Sequence, residues 1–288
     1  MLFGAHVSIA GGIDKAPERA ADLGCEVFQI FSRSPQGGPP PALTADLVAQ
    51  LQENVKKYGQ KEFYVHTPYI INLASAEKRI EESSVRLIKE DLARASTLGA
   101  RYVMTHVGSA KDGDKGEART KVAENLKRVL DEAHTADPSR QGRAEAELLI
   151  EMSAGAGGII GDTFEDLAFF MHELTGYTVG ICFDTAHMFA SGYDIRDDAR
   201  VKETLDAFDR IVGLAHLKLS HCNDSKVGLG EKKDRHEHLG KGMIGLAGFE
   251  ALVKEPRLKK INFVCETEHD AVAEDIRIMK EFRTKWER

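Results

Sequence analysis

The chain carries 39 basic and 46 acidic side chains over 288 residues, a formal charge of −7, which excludes a protein that grips nucleic acid through a broadly basic surface. At 42% hydrophobic and 30% charged residues, it has the composition of a globule long enough to bury the core of one α/β domain. No run approaches the roughly 20 apolar residues that cross a bilayer, and the first residues show no cationic region leading into an apolar stretch, so no secretory leader is expected.

In chain order, short apolar runs alternate with stretches of three- and four-residue apolar spacing. Strands are expected at 2–7, 26–31, 62–66, 101–106, 147–151, 179–184, 214–221 and 262–266, each followed by a helix, at 16–23, 43–58, 77–98, 118–134, 164–174, 201–211, 248–253 and 271–286. Eight such units predict an α/β fold of the (β/α)8 TIM-barrel type, a single domain over 1–288. The rival doubly wound sheet would carry a phosphate-binding glycine loop after its first strand, and His6-Val7-Ser8-Ile9-Ala10-Gly11-Gly12 lacks that pattern. Irregular stretches fall at 35–41, 137–143, 154–162 and 223–245; the first holds four of the eight prolines and is expected to be stiff. Cys25, Cys182, Cys222 and Cys265 form no CxxC pair, so reduced thiols in a cytoplasmic core are expected.

A barrel builds its active site at the C-terminal ends of its strands. The expected ends carry His6, His66, His106, Glu151, Asp184, His221 and Glu266. A lone strand-end histidine is more often a hydrogen-bonded structural residue than a metal ligand. Independent structural residues have no reason to choose one rim, however, and so much desolvated imidazole and carboxylate calls for cations. Asp184 and His187, three residues apart, can face one cavity, and Asp234 and His236 share one side of an extended segment. Alone, the segment 231–238 reads as a solvated charged loop. The candidates thus number five imidazoles (His66, His106, His187, His221, His236) and four carboxylates (Glu151, Asp184, Asp234, Glu266). Mixed nitrogen and oxygen donors suit Zn²⁺, with Mn²⁺ or Fe²⁺ as further candidates, and at about three protein ligands per catalytic ion the set fits about three ions sharing a carboxylate. Such ions suit phosphodiester hydrolysis.

Residues 180–194 (GICFDTAHMFASGYD), 221–226 (HCNDSK) and 233–242 (KDRHEHLGKG), with Gly4-Ala5-His6-Val7-Ser8 at the start, resemble signatures of the endonuclease IV family of apurinic/apyrimidinic (AP) endonucleases. The resemblance implies a zinc-dependent barrel that recognises an abasic site in double-stranded DNA and cuts on its 5′ side, leaving a 3′-hydroxyl and a 5′-deoxyribose phosphate, and that trims blocked 3′ ends. It implies one zinc on His66, His106 and Glu151, a second on Glu151, Asp184, His221 and Glu266, and a third on His187, Asp234 and His236. Glu151 then bridges, a hydroxide shared by the first two ions is the nucleophile, and Glu266 orients it. His6 would support the metals from behind.

Tyr69 matches the family's tyrosine that enters the helix beside the damaged nucleotide. After the second strand the family typically shows an arginine-glutamine-tryptophan wedge, whereas this chain has Gln36-Gly37-Gly38 and three prolines. Arg33, Lys111, Lys226, Lys232, Lys233, Arg235 and Lys241 are expected on rim loops, with Lys226 and Arg235 the foremost candidates for phosphate contacts in a monomeric enzyme. The alternative is a sugar isomerase or epimerase of the xylose isomerase-like barrels, using Glu151, Asp184, His221 and Glu266; it has no use for the other five ligands. A DNA-damage binder without turnover is a third reading, against which the intact ligand set argues.

Overall fold

Strands buried on both faces read as unbroken apolar runs, and those runs pair here in parallel. The computed structural model describes residues 1–36, 38–135 and 145–286; Gly37, the irregular stretch 137–143 and the last two residues of the expected domain lie outside the described residues. The barrel strands are β1 (Phe3–His6), β2 (Val27–Phe31), β3 (Phe63–His66), β4 (Tyr102–Thr105), β5 (Glu147–Glu151), β6 (Val179–Asp184), β7 (Leu217–His221) and β10 (Asn262–Cys265). They close in sequence order, with β10 joining β7 to β1. This is the expected TIM barrel. Between β7 and β10 an antiparallel hairpin, β8 (Asp224–Ser225) with β9 (His236–Glu237), rises from the rim.

Helices α1 (Ala16–Asp22), α2 (Ala45–Lys57), α3 (Lys78–Leu98), α4 (Lys115–Thr135), α5 (Phe164–Glu173), α7 (Asp198–Ile211), α8 (Gly245–Lys254) and α9 (Val272–Trp286) supply the outer layer. Their starts are set by local chemistry: Thr44 Oγ1 accepts from Leu47 N at 3.2 Å, and Asp197 Oδ1 from Arg200 N at 2.9 Å. The second of these starts α7 three residues before the expected helix. The four cysteines are free and buried, and among the described residues no helix is long and apolar enough to cross a membrane.

Two further features depart from the sequence expectation. The seventh strand begins at Leu217, not 214, because Gly213 turns left-handed (φ 97°) and Leu214–His216 forms a 3-10 turn, its first N–H donating to Asp209 Oδ1 at 2.8 Å. His216 therefore lies in a turn rather than mid-strand. The Asp184 end of β6 runs directly into a short helix, α6 (Thr185–Ala190), which Asp184 caps by accepting from His187 N at 2.8 Å.

Inside the barrel, Val27, Tyr64, Tyr102, Met104, Leu149, Cys182, Leu219 and Val264 form a separate buried cluster. Side chains alternate along a strand with period two. The next residues on the same face are therefore Gln29 after Val27, His66 after Tyr64, His106 after Met104, Glu151 after Leu149, Asp184 after Cys182, His221 after Leu219 and Glu266 after Val264. The polar layer at the mouth stands on an apolar plug.

Candidate metal centre

Among the described residues, three groups bring ligand atoms within 4.8 Å of one another: His66, His106 and Glu151; Glu151, Asp184, His221 and Glu266; and Asp184, His187 and His236. Asp234 joins the third, with Oδ1 at 3.2 Å from both His187 Nε2 and His236 Nε2. Glu151 belongs to two groups and divides its oxygens between them. Oε2 faces His66 Nε2 at 2.9 Å and His106 Nε2 at 3.5 Å, and Oε1 faces His221 Nδ1 at 2.9 Å. Asp184 also lies between groups, at 3.9 Å from His221 Nδ1 and 3.6 Å from His236 Nε2.

The rings are held from behind. The Thr67 carbonyl accepts from His66 Nδ1 at 2.7 Å, and the Met152 carbonyl from His187 Nδ1 at 2.9 Å. Gln29 Oε1 accepts from His221 Nε2 at 2.8 Å. Each contact commits one ring nitrogen as donor and turns the other toward the carboxylates, the arrangement that fixes metal-binding tautomers. Gln29 Nε2 in turn donates to Glu266 Oε1 at 2.6 Å and to His6 Nδ1 at 2.9 Å. Asn223 Nδ2 donates to Asp184 Oδ2 at 2.6 Å, while its Oδ1 accepts from Glu266 N at 2.8 Å.

Gln29 and Asn223 escape the sequence reading because neutral amides carry no charge pattern. So does the buried Asp224, whose two oxygens accept from Ser225 N, Gly240 N, Gly242 N, Ile244 N and Gly245 N at 2.8 to 3.2 Å. It pins the loop before α8 to the hairpin that carries His236. A side chain at Gly242 would stand 2.5 Å from Asp224 Oδ1, so the loop closes only on glycine there.

The electrostatics without an ion fit a cation site. Burial pushes the Glu151 carboxyl up, but the neighbouring His106 and His221 outweigh it and hold it well below the usual range. Burial alone would lower His187, yet Asp184 and Asp234 lift it to about 10. Desolvation likewise opposes His66, which Glu151 raises, whereas His106 is lowered by its burial. Glu151, Asp184 and His221 are fully buried. Buried carboxylates and imidazoles converging on common points, with nitrogen and oxygen donors mixed, fit borderline divalent ions.

Residues 17–282 match the family model described as a xylose isomerase-like TIM barrel. The chain is 36% identical over 268 residues to a probable endonuclease 4 of Halothermothrix orenii, covering 93% of each, and 38% identical to one of Nitrosopumilus maritimus, covering 98% of this chain and all of that one. The crystal structure of endonuclease IV from Thermus thermophilus superposes with a TM-score of 0.86 at 34% identity, covering 99% of this chain and 100% of that one. The chain belongs to the endonuclease IV family. Likeness to a D-tagatose 3-epimerase-like protein, TM-score 0.73 at 19% identity, shows the shared fold alone.

As a member of the endonuclease IV family the chain is an enzyme, and its ligand groups open into a cavity of about 700 Å³. Tyr69 and Lys111 line this cavity with His66, His106, His187, Asp234, His236 and Glu266. Tyr69 is 70% exposed, its ring set edge-on against Phe31 at 5.2 Å. Lys226 and Arg235 are exposed on the β8–β9 hairpin beside the cavity rather than in its wall; Lys226 Nζ stands 4.0 Å from Glu237, and Arg235 Nη1 donates to the Asp234 carbonyl at 2.6 Å. His6 stands behind Glu266 at 3.9 Å.

Arg33 corrects the expectation of a rim cation. It is 1% exposed and turned inward, donating from Nε to Asp91 Oδ1 at 3.0 Å and from Nη1 to Glu90 Oε2 at 2.9 Å. A buried guanidinium needs such partners, and α3 supplies them. Arg94, on the same helix, donates to the Ser32 and Pro41 carbonyls at 2.8 and 2.9 Å. The proline-rich loop is thus tied down at both ends.

Proposed function

We propose that this protein is an AP endonuclease that hydrolyses the phosphodiester 5′ to an abasic site in duplex DNA, leaving a 3′-hydroxyl and a 5′-deoxyribose phosphate, and that also trims blocked 3′ ends. The supporting observation is the convergence of five imidazoles and four carboxylates at one barrel mouth in a chain of the endonuclease IV family. We assign His66, His106 and Glu151 to one ion, Glu151, Asp184, His221 and Glu266 to a second, and His187, Asp234 and His236 to a third, with Zn²⁺ as the metal that suits the donors. When bound, such ions lower the pKa of water toward neutrality and neutralise phosphate oxygens during in-line displacement.

The chain's own residues do the positioning. Glu151 offers one oxygen to each of two ligand groups, and Glu266, aligned by Gln29 and the Asn223 amide, orients the attacking water. The exposed Tyr69 ring offsets the stacking lost beside a base-free nucleotide. Lys226 and Arg235 contact phosphates from the hairpin. The enzyme is read as a monomer of the cytoplasm. An epimerase would use Glu151, Asp184, His221 and Glu266 and leave the other five ligands without a role.

The test is a 5′-labelled duplex with a single abasic site, beside an undamaged control, with and without a strong chelator. One chelator-sensitive product ending in a 3′-hydroxyl at the 5′ side of the lesion is expected. An uncut abasic strand overturns the reading, and epimerisation of a ketose by the same preparation favours the sugar-enzyme alternative.

A further inference from the structure

Among the described residues, the non-glycine positions with a left-handed backbone are Lys111 (φ 53°) and Lys232 (φ 57°). That conformation crowds Cβ against the following carbonyl in every residue but glycine, and strain of this kind concentrates where a side chain has to be aimed. Both lysines lie on loops of the barrel mouth, Lys111 between β4 and α4 and Lys232 between β8 and β9. They flank one segment, Ala154-Gly155-Ala156-Gly157-Gly158, which follows Glu151. A Cβ at Gly158 would stand 2.3 Å from the Lys111 carbonyl oxygen, and one at Gly155 3.4 Å from Lys232 Cγ.

Their backbones are clamped. Lys111 N donates to Ser109 Oγ at 2.9 Å, Ala110 N to the Gly158 carbonyl at 2.8 Å, and Lys232 N to the Ala190 carbonyl at 2.9 Å. Neither ammonium has a carboxylate in ion-pair reach among the described residues, whereas Lys115 nearby is paired with Asp162 at 2.8 Å. Lys111 lines the cavity of the ligand groups, and Lys232 abuts Gly155, between the cavity-lining Ala154 and Ala156.

We infer that Lys111 and Lys232 are a pair of phosphate-binding residues, set on either side of a glycine-rich rim over which the sugar–phosphate backbone of the bound DNA strand passes. The inference rests on the endonuclease reading. Gly155 and Gly158 pack the rim against the two lysines, while the exposed Gly157, with nothing within 4 Å of a Cβ built there, leaves room for a backbone to approach. The two cations contact phosphates flanking the one presented to the ligand groups.

The test uses metal-loaded protein with Lys111→Gly, Lys232→Gly, the double variant and the corresponding Lys→Arg variants. Melting temperature, affinity for a duplex with one abasic-site analogue across a salt series, and kcat and KM are measured. Glycine adopts φ > 0 freely, so the glycine variants should melt at or above the parent temperature while binding more weakly. Each is expected to reduce the log–log salt slope by about 0.9, the double variant by about twice that, because one fewer phosphate is neutralised per lysine. KM should rise with kcat retained, and arginine should restore the slope. A double glycine variant with the parent's salt slope and KM overturns the inference, as does a lowered melting temperature that accounts for the lost binding. The parent's cutting of the same duplex tests the endonuclease reading separately: if the parent cuts and the slopes do not change, only the lysine pair fails.

Discussion

The Nε2 atoms of His187 and His236 face each other across 3.3 Å, each also 3.2 Å from Asp234 Oδ1. The Met152 carbonyl accepts a hydrogen bond from His187 Nδ1, so Nε2 is the atom offered to this point. Asp184 and Asp234 lift the ring to about 10 against its burial. An ion entering here must displace the Nε2 proton, so its affinity should fall as pH falls. On reconstitution with Zn²⁺, Asp234→Asn and His187→Ala should each carry about one ion fewer per chain than the parent, since a catalytic zinc needs about three protein ligands. Equal metal content by elemental analysis in all three proteins would contradict the third group.

Gln29 joins His6, His221 and Glu266 through one amide. Gln29→Leu keeps the volume near and removes the bonds. Partners that orient metal ligands are worth roughly 10–100-fold in affinity, and a loss in that range is expected in competition with a chelating dye. Affinity unchanged from the parent would mean that His221 and Glu266 orient themselves.

Asp224 is the keystone of the rim between β8 and α8, with five backbone N–H groups on its carboxylate. Hydrogen bonds to a charged group contribute about 1.5–3 kcal/mol each, with the stranded donors adding to the cost of removal. Asp224→Ala should therefore lower unfolding free energy by at least about 3 kcal/mol in urea, and loosen His236 with it. A loss below about 1 kcal/mol would show that water replaces the carboxylate without penalty.

The chain ends are fastened by Glu26, which accepts from both Arg283 Nη1 and Nη2 at 2.9 Å and from Phe3 N at 3.1 Å. Burial would raise its carboxyl, but these partners outweigh it and lower it. A carboxyl lowered in the fold stabilises above its unfolded value, about 4.3, and loses that contribution as pH falls through the folded value. Glu26→Gln should cost about 1–2 kcal/mol at neutral pH. The gap to the parent should close as the pH falls below about 4. A gap independent of pH would assign the effect to packing.

The barrel is legible in the sequence because parallel strands buried on both faces read as continuous apolar runs, and the period of two carries Tyr64 to His66 and Leu149 to Glu151 on one face. The reading fails where the chain turns without losing apolar character: Leu214 and Ala215 continue the run toward Leu217 while Gly213 has already bent the backbone. Histidines and acids that end apolar runs stand out, so His66, His106, Glu151, Asp184, His221 and Glu266 are legible as candidates from residue type and position, whereas Asp234 and His236 sit in a stretch that reads alone as a solvated charged loop. Their supports are not. Gln29 reaches His221 across 192 residues of sequence, and Asn223 reaches Asp184 across 39, so only closure of the barrel reveals them. Arg33 reads as a rim charge because its partners, Glu90 and Asp91, lie on α3, three elements later.

The central claim is that the cut at an abasic site depends on all three ligand groups. The direct measurement strips the protein with a chelator and adds Zn²⁺ back in steps, following bound metal and incision of an abasic duplex together. No incision in the stripped protein, and full activity only as about three equivalents per chain bind, is the expected result. Full site-selective cutting at one equivalent, or in excess chelator, would contradict it.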